Sequence, residues 1–484
     1  MKAIQLILGL TTIFILLTLA FDWPLVSVVI LLISTLFLFQ GAITVLAMLY
    51  TWESEERLRE ISPPTPRFEK PKHSFSLIIS ARHEEKVISD TLRAMGRLDY
   101  PQRLLEVLVV VRQDDLGTIG EVSKTLSEIN RSNFHLVVFD GEPINKPHSL
   151  NIGLYHAQHE VIGVFDAEDE PHPQILRFVD LKLTQDKVDV VQAGVQLINL
   201  DTAWFSPLNC LEYYFWYKSV LPFFSQMGAT PVGGNSVFFK KAALVDVLGW
   251  DENCLTEDAD VGVRLSLSGY RIGTIYQERL ATLEETPPDL EGFVCQRSRW
   301  DQGYLQIALK GDLFKFPGLK QQFLMFYLFL QPMTHLLALV SLILLPYSAI
   351  RLKVPAGLAM FSFVPGYVLL LQLGIFVVGL FEMGEKYNLK ISPRHLGNVI
   401  FGFFSYQLVL GYSFLRAAAR LLLRFAGWEK TVHINAHREI VPSLAWVSER
   451  DDFLKEEALI NHPLEVVEKD SLSGVIYLGT PHGL

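Results

Sequence analysis

Cysteine is nearly absent. The three present, Cys210, Cys254 and Cys295, lie far apart and share no metal-ligand spacing, so they read as unpaired thiols rather than a disulfide framework or a zinc site. Positive charge is in deficit: 42 Lys and Arg stand against 52 Asp and Glu, a net charge of −10. No nucleic-acid partner is expected, because phosphate binding needs clustered Lys and Arg. Neither common Gly-rich phosphate loop occurs, which argues against a kinase, an ATPase or a dehydrogenase. A diphosphate bound by such a chain has to be neutralised by a divalent cation instead. Charge of both signs is thin, 19% of residues against 50% apolar, low for a soluble protein of 484 residues. That length suffices for one large globular domain plus a membrane part.

What is present in excess is uncharged sequence, gathered at the two ends. Ile4 to Phe21 and Pro24 to Trp52 are uncharged but for Asp22 between them, and a span needs roughly 20 apolar residues. Residues 1–52 therefore read as a transmembrane hairpin. The first run also fits a signal peptide, since Lys2 precedes it and small residues end it; the second would deliver the following domain to the same side. Residues 53–73 carry Arg57, Arg59, Arg67, Lys70 and Lys72, which the positive-inside rule assigns to the cytoplasm. Phe323 to Ile350 and Val354 to Phe381 read as a second hairpin, with Pro332 and Pro346 predicting a kink in the first of them. Val399 to Leu415 is followed by Arg416, Arg420 and Arg424, and reads as a helix lying in the interface, apolar on one side and basic on the other. Residues 313–433 are thus expected to hold transmembrane and interface helices. The count is about four spans, or five if Val399 to Leu415 also crosses, in a multi-pass protein of a bacterial plasma membrane with its middle domain cytoplasmic.

Residues 74–312 read as an α/β domain. Phe75–Ile79, Leu105–Val111, Phe134–Phe139, Val161–Phe165 and Val188–Val195 are apolar, β-branched runs, and Glu84–Leu98 reads as a helix. Such runs separated by helices imply a mostly parallel sheet covered on both faces, with ligands bound at the carboxyl ends of the strands. Those ends carry Asp114, Asp115, Asp140 and Asp166. One acidic strand end is ordinary loop chemistry; several in one sheet suggest a site for a metal and a polar ligand.

Three motifs have both a chemical and a plain structural reading. Asp166-Ala167-Glu168-Asp169 can project alternate carboxylates toward Mg2+ or Mn2+, or can be a solvated acidic turn. Thr256-Glu257-Asp258 can supply a general base, or can be an N-cap with acidic residues in the first turn. Asp260 and Arg264 fit an i,i+4 surface pair. Gln296-Arg297-Ser298-Arg299-Trp300 can grip a diphosphate and stack on a sugar, or can anchor the chain beside the membrane.

The order of these motifs, followed by membrane helices, resembles the membrane-bound branch of glycosyltransferase family 2, the cellulose, chitin and hyaluronan synthases and their relatives. The resemblance covers about Ser74 to Gly303. It is carried also by Ser80-Ala81-Arg82-His83-Glu84-Glu85, Leu98-Asp99-Tyr100-Pro101, Lys146-Pro147-His148-Ser149-Leu150-Asn151 and Gly233-Gly234-Asn235-Ser236. Trp428-Glu429-Lys430-Thr431-Val432-His433 looks like the cytoplasmic motif that follows the interface helix in many bacterial members.

The resemblance implies a GT-A fold, a Rossmann-like nucleotide half continuous with an acceptor half, and an inverting transferase using a UDP-sugar. By that resemblance Glu84, Asp114 or Asp115, Lys146 and Asp166 contact the nucleotide-sugar, and Asp166 and Glu168 hold Mg2+ or Mn2+. Glu168 departs from the Asp more common at that place, so Asp169 is an alternative ligand. Asp258 is the implied base, and Glu257, Gln296, Arg299 and Trp300 bind the acceptor and diphosphate. The implied partners are a nucleotide-sugar donor, a glycan or lipid acceptor, and membrane lipid. Extension of a β-linked polysaccharide is the leading expectation, and one transfer to a membrane lipid the second. A non-catalytic sugar-sensing subunit and a transporter are weaker readings, the first against the retained carboxylates and the second against the helix pattern. A polymer needs a hydrophilic path through the helices; with few spans, a homo-oligomer or accessory subunit would complete it. Residues 434–484, acidic through Glu456, Glu457, Glu465, Glu468 and Asp470, read as a solvated extension with a flexible end at Gly479–Gly483.

Overall fold

The computed structural model describes residues 25–62, 70–351, 353–425, 436–440 and 475–477. The first apolar run (4–21), Arg67, the 428–433 motif, the acidic residues from Glu456 to Asp470 and the 479–483 end lie outside the described residues. Helix α1 (Leu25–Met48) has no charged residue. Helix α2 (Glu55–Ile61) follows, its first turn capped by the Ser54 hydroxyl, which accepts from the Arg57 N–H.

Strand and helix then alternate: β1 (Phe75–Ala81), α3 (Ile88–Gly96), β2 (Leu105–Arg112), α4 (Leu116–Ile129), β3 (Phe134–Phe139), α5 (Lys146–His156), β4 (Val161–Phe165), α6 (Ile175–Gln185), β5 (Val190–Ala193) and β6 (Val195–Leu197). The bounds of β3 and β4 are those expected. The helix expected from Glu84 begins only at Ile88, because the chain leaving β1 first turns through His83 at φ 55°. The single strand expected over Val188–Val195 is divided at Gly194, where a Cβ would lie 2.7 Å from the Tyr276 ring.

Helix α7 (Ser206–Phe215) runs through a π-turn (Trp216–Val220) into α8 (Leu221–Gln226). Next come β7 (Val237–Lys240), α9 (Lys241–Asp246), α10 (Glu257–Leu267), β8 (Ile272–Ile275), β9 (Thr282–Glu284) and the 20-residue α11 (Leu290–Leu309). The main sheet has the order β10-β3-β2-β1-β4-β7-β5-β8, with β10 defined below. Its pairings are parallel except those of β7, which runs against β4 and β5. β2 is buried along almost its whole length, as the near-continuous Leu/Val run of a doubly covered sheet requires. β6 and β9 form a small parallel sheet of their own, tied to the end of β4 by a bridge between Glu170 and Leu283. The carboxyl ends of β1, β2 and β4 and the end of β9 thus meet on one edge.

Beyond α11 lie α12 (Leu319–Phe329), α13 (Gln331–Arg351), α14 (Ala356–Phe361), α15 (Val364–Lys386) and α16 (Pro393–Leu422). The run expected as one helix from Phe323 to Ile350 is broken at Leu330. Pro332 is the second residue of α13, and a proline there can neither donate to the helix before it nor fit against its carbonyls. By length and composition four described helices can cross a membrane: Ser27–Met48, Gln331–Arg351, Ala356–Lys386 and Pro393–Leu422. Their outward faces expose Leu36, Ile343, Leu344, Leu370, Val378, Phe401 and Leu408, an apolar surface suited to a bilayer rather than to water. The fourth contains Val399–Leu415 and is 30 residues long, enough by length and composition to span, and Arg424 just past its end is exposed. Arg420 is buried and donates to Gln302 Oε1 at 2.9 Å, while Phe401, Tyr412 and Leu415 point outward.

Two short pieces of the tail are described, and both are packed rather than solvated. Helix α17 (Ala436–Ile440) packs onto the domain, and β10 (Val475–Tyr477) pairs in parallel with β3 at the sheet edge. Arg264 does pair with Asp260, at 2.8 Å, but Asp260 is buried and also accepts from Lys310, so the pair is interior rather than superficial.

Candidate active site

A cavity of about 830 Å3 opens at the carboxyl edge of the sheet and continues between the apolar helices. At the sheet its wall includes Glu84, Lys146, Asp166, Glu168, Glu257, Asp258, Gln296, Arg299 and Trp300, nearly the whole set expected from sequence. Asp114 and Asp115 are not on that wall. Asp115 is buried and caps α4, accepting from the Thr118 N–H and from the His83 N–H. Burial tends to raise its carboxyl, but those bonds outweigh burial and hold it below the usual carboxylate range. Asp114 is half exposed and binds Arg112 at 2.5 Å; Arg112 itself lines the cavity.

The chain after β4 turns so that Asp169 accepts from the Asp166 N–H at 2.8 Å and from Asn235 at 2.9 Å. That occupies Asp169 internally. The carboxylates that converge are Asp166, Glu168 and Glu284, with oxygens within 4.8 Å of one another. Glu284, at the end of β9, was not singled out from the sequence. No motif marks it, and only the pairing of β9 beside β4 brings it there. Asn235 donates to Glu284 at 2.8 Å as well. Burial first, and then Asp169, Glu168 and Asp166, push the Glu284 carboxyl well above its ordinary range. Three converging carboxylates, two buried and one partly buried, repel one another and suit a hard divalent cation, which would remove that repulsion.

Lys146, at the start of α5, reaches across to Asp166 and donates to the Gly234 carbonyl at 3.0 Å. Burial alone would lower its ammonium, but Asp166, Glu257 and Asp258 outweigh burial and hold it above its usual range. Gly234 makes this approach possible: a Cβ there would come within 3.1 Å of Asp258 Oδ2 and 3.3 Å of Lys146 Nζ. Asp258 lies in the first turn of α10, and the Ala259 N–H donates to it at 2.8 Å. Burial raises its carboxyl, and the Ala259 N–H and Lys146 oppose that rise. Glu257 beside it is pushed up to about 8, by burial and then by Asp258.

Helix α11 carries Gln296, Arg299 and Trp300 along the opposite wall. It is seated by Gly303, where a Cβ would strike Thr256 at 2.3–2.7 Å, so it packs against the residue just before Glu257-Asp258. Gln296 is buried, and its side-chain oxygen has no hydrogen-bond partner among the described residues. An acceptor in that state awaits a donor from something that enters the cavity. Arg297, also on the cavity wall, binds Glu212 and Asn209 and lies over the face of Trp300, 4.8 Å from its ring, and so holds that ring.

Residues 71–303 match the family described as glycosyltransferase-like family 2. This segment is a family 2 glycosyltransferase domain. A probable glycosyltransferase of Bacillus subtilis, YdaM, is 25% identical over 384 residues, covering 75% of this chain and 87% of its own. The poly-β-1,6-N-acetyl-D-glucosamine synthase of Staphylococcus aureus is 26% identical over 242 residues, covering 49% of this chain and 56% of its own. The β-monoglucosyldiacylglycerol synthase of a Synechocystis strain is 27% identical, covering 49% of each chain. The matches to these two synthases thus span about half their length. The GT-A fold is shared with the mannosyltransferase PcManGT of Pyrobaculum calidifontis, solved with GDP-Man and Mn2+, at a TM-score of 0.51 and 17% identity over 83% of this chain and all of that one. The chain is therefore a glycosyltransferase with a GT-A domain and a region of membrane-type helices.

Proposed function

We propose that the protein transfers a sugar from a UDP-sugar, with inversion, onto the end of a β-linked polysaccharide. The observation that carries this reading is the continuity of the cavity. From the carboxylates it runs on between α1, α13, α15 and α16, where Gln40, Thr44, Gln331, Thr334, His335, Gln372 and Gln407 line it without a formal charge among them. Uncharged hydrogen-bonding groups inside an apolar bundle suit a hydroxyl-rich chain better than an acyl chain.

Asp166, Glu168 and Glu284 would hold the cation, which stabilises charge on the departing diphosphate as a Lewis acid. Lys146 and Arg299 add positive charge on the same side. Asp258, raised toward neutrality by burial, accepts the proton of the attacking acceptor hydroxyl. Gln296 accepts a hydrogen bond from the acceptor sugar, and Trp300 gives its ring an apolar platform.

The second reading is a single transfer to a membrane lipid. It is favoured by Phe37, Met48, Pro365 and Leu369 on the same cavity wall. The deciding experiment follows UDP release from a panel of UDP-sugars in nanodiscs with Mn2+, alongside product size. Donor-dependent release with a high-mass product supports the polymer, and one glycosylated lipid selects the alternative. No turnover with any UDP-sugar overturns the donor assignment.

A further inference from the structure

The short helix α17 lies directly behind the carboxylate cluster, and nothing in the proposed chemistry uses it. Its Arg438 guanidinium contacts four groups of the neighbouring chain. It pairs with the Glu170 carboxylate, and donates to the Thr91 hydroxyl at 2.9 Å and to the main-chain carbonyls of Glu168 and Asp169 at 3.1 Å each. The Thr91 hydroxyl in turn donates to the Ala167 carbonyl at 2.7 Å. Every residue from 167 to 170 is therefore reached by Arg438 directly or through Thr91.

The same helix also touches the other segment that carries a converging carboxylate. The Ala436 N–H donates to the side chain of Glu285, the neighbour of Glu284. So α17 bridges the two pieces of chain that present the three oxygens, one after β4 and one after β9. Glu170 is buried between Arg438 and Arg97, which binds its other oxygen at 2.7 Å. Loss of Arg438 would leave Glu170 paired to Arg97 but would free both carbonyls of the loop.

We propose that Arg438 is a positioning residue for the divalent cation: the C-terminal segment clamps the Glu168–Glu170 loop against the end of β9, and so sets the spacing of Asp166, Glu168 and Glu284. This rests on the assignment of those three carboxylates to the cation. A planar fork is needed, because two carbonyls, a hydroxyl and a carboxylate are served at once. Lysine can replace the charge but not the fork.

The test is Mn2+ binding to the full-length protein in nanodiscs, without donor, read from the electron paramagnetic resonance signal of free Mn2+. Groups that orient ligands from outside the coordination sphere typically alter affinity by about 10- to 100-fold. Arg438→Ala and Arg438→Lys are both expected to weaken Mn2+ binding by at least about 10-fold, with an unchanged elution profile. In turnover assays the Mn2+ concentration for half-maximal rate should rise by the same factor, while the rate at saturating Mn2+ falls much less. Should Arg438→Ala not fold, Ala436→Pro serves instead. It deletes the Ala436 N–H to Glu285 at the first helical position, where proline is tolerated, and a smaller weakening is expected. If folded variants bind Mn2+ as the unmodified protein does, the clamp is wrong and the cation assignment stands. If the unmodified protein binds no Mn2+, both fall.

Discussion

The two ends of the cavity are built on opposite principles. At the sheet, Asp166, Glu168, Glu284, Glu257 and Asp258 face Lys146 and Arg299 within one enclosed space. Between the helices the polar wall groups supplied by α1, α13, α15 and α16 are amides, hydroxyls and one imidazole, and the Arg297–Glu212 pair with Asp301 marks the junction. Charge is expensive to bury and is retained where it is balanced within the site, or would be by a cation and a diphosphate. Uncharged donors and acceptors suffice where a neutral chain only has to be wetted. The contrast separates the place where bonds change from the place where a product would rest.

The comparison breaks most visibly at Asp258. Asp258→Asn keeps the shape and removes the base, and transfer is expected to fall by about 100- to 10,000-fold with the melting temperature unchanged or raised. Retention of activity would move the base elsewhere. Next in size is Glu284→Gln. Without cation it relieves repulsion and should raise the melting temperature. With Mn2+ it should lose more affinity than the about 10- to 100-fold typical of groups outside the coordination sphere. An unchanged Mn2+ titration would remove Glu284 from the cluster. At the uncharged end, Ala338→Trp fills the space between the helices without touching the carboxylates. Shorter product with UDP release retained is expected, and full-length product would show that the chain leaves by another route.

The smallest effect concerns Asp301, on α11. Burial and then the opposing pulls of Arg297 and Glu212 leave its carboxyl at about 8 against an ordinary 3.8. Its neutral form is the one the fold prefers. The associated stability is complete below about pH 4 and lost as pH rises through about 8. Asp301→Asn should therefore flatten the decline in melting temperature as pH rises from about 4 to about 8. An identical decline in the variant would assign it to other groups.

Much of the sheet was legible because β-branched runs at β2, β3 and β4 have no competing periodicity. The Asp-x-Glu, Glu-Asp and Gln-x-x-Arg-Trp positions were legible because side chains of unusual type recur at strand ends and along one helix. Glu284 was not, since a lone carboxylate after a three-residue strand gains meaning only from the neighbour it pairs beside. The division at Leu330 was written in Pro332 but was read as a kink. The packed pieces α17 and β10 were not legible, because the contacts of Arg438 and the pairing of β10 depend on long-range partners that composition does not encode. Lys146, expected near the nucleotide, pairs with Asp166.

The contact between Gly303 and Thr256 has a consequence for how such a site can change over time. With no room even for a methyl group, α11 cannot rotate or slide on the start of α10. A slip of one residue along α11 would swing Trp300 by roughly 100° about the helix axis and carry it off the cavity wall. The chain between the two motifs, from Ser268 to Asp289, is held in turn by β8 and β9 and carries Glu284. Variation in acceptor would thus be steered toward substitution of wall side chains, while the spacing of the proposed base and platform would be inherited as a single unit.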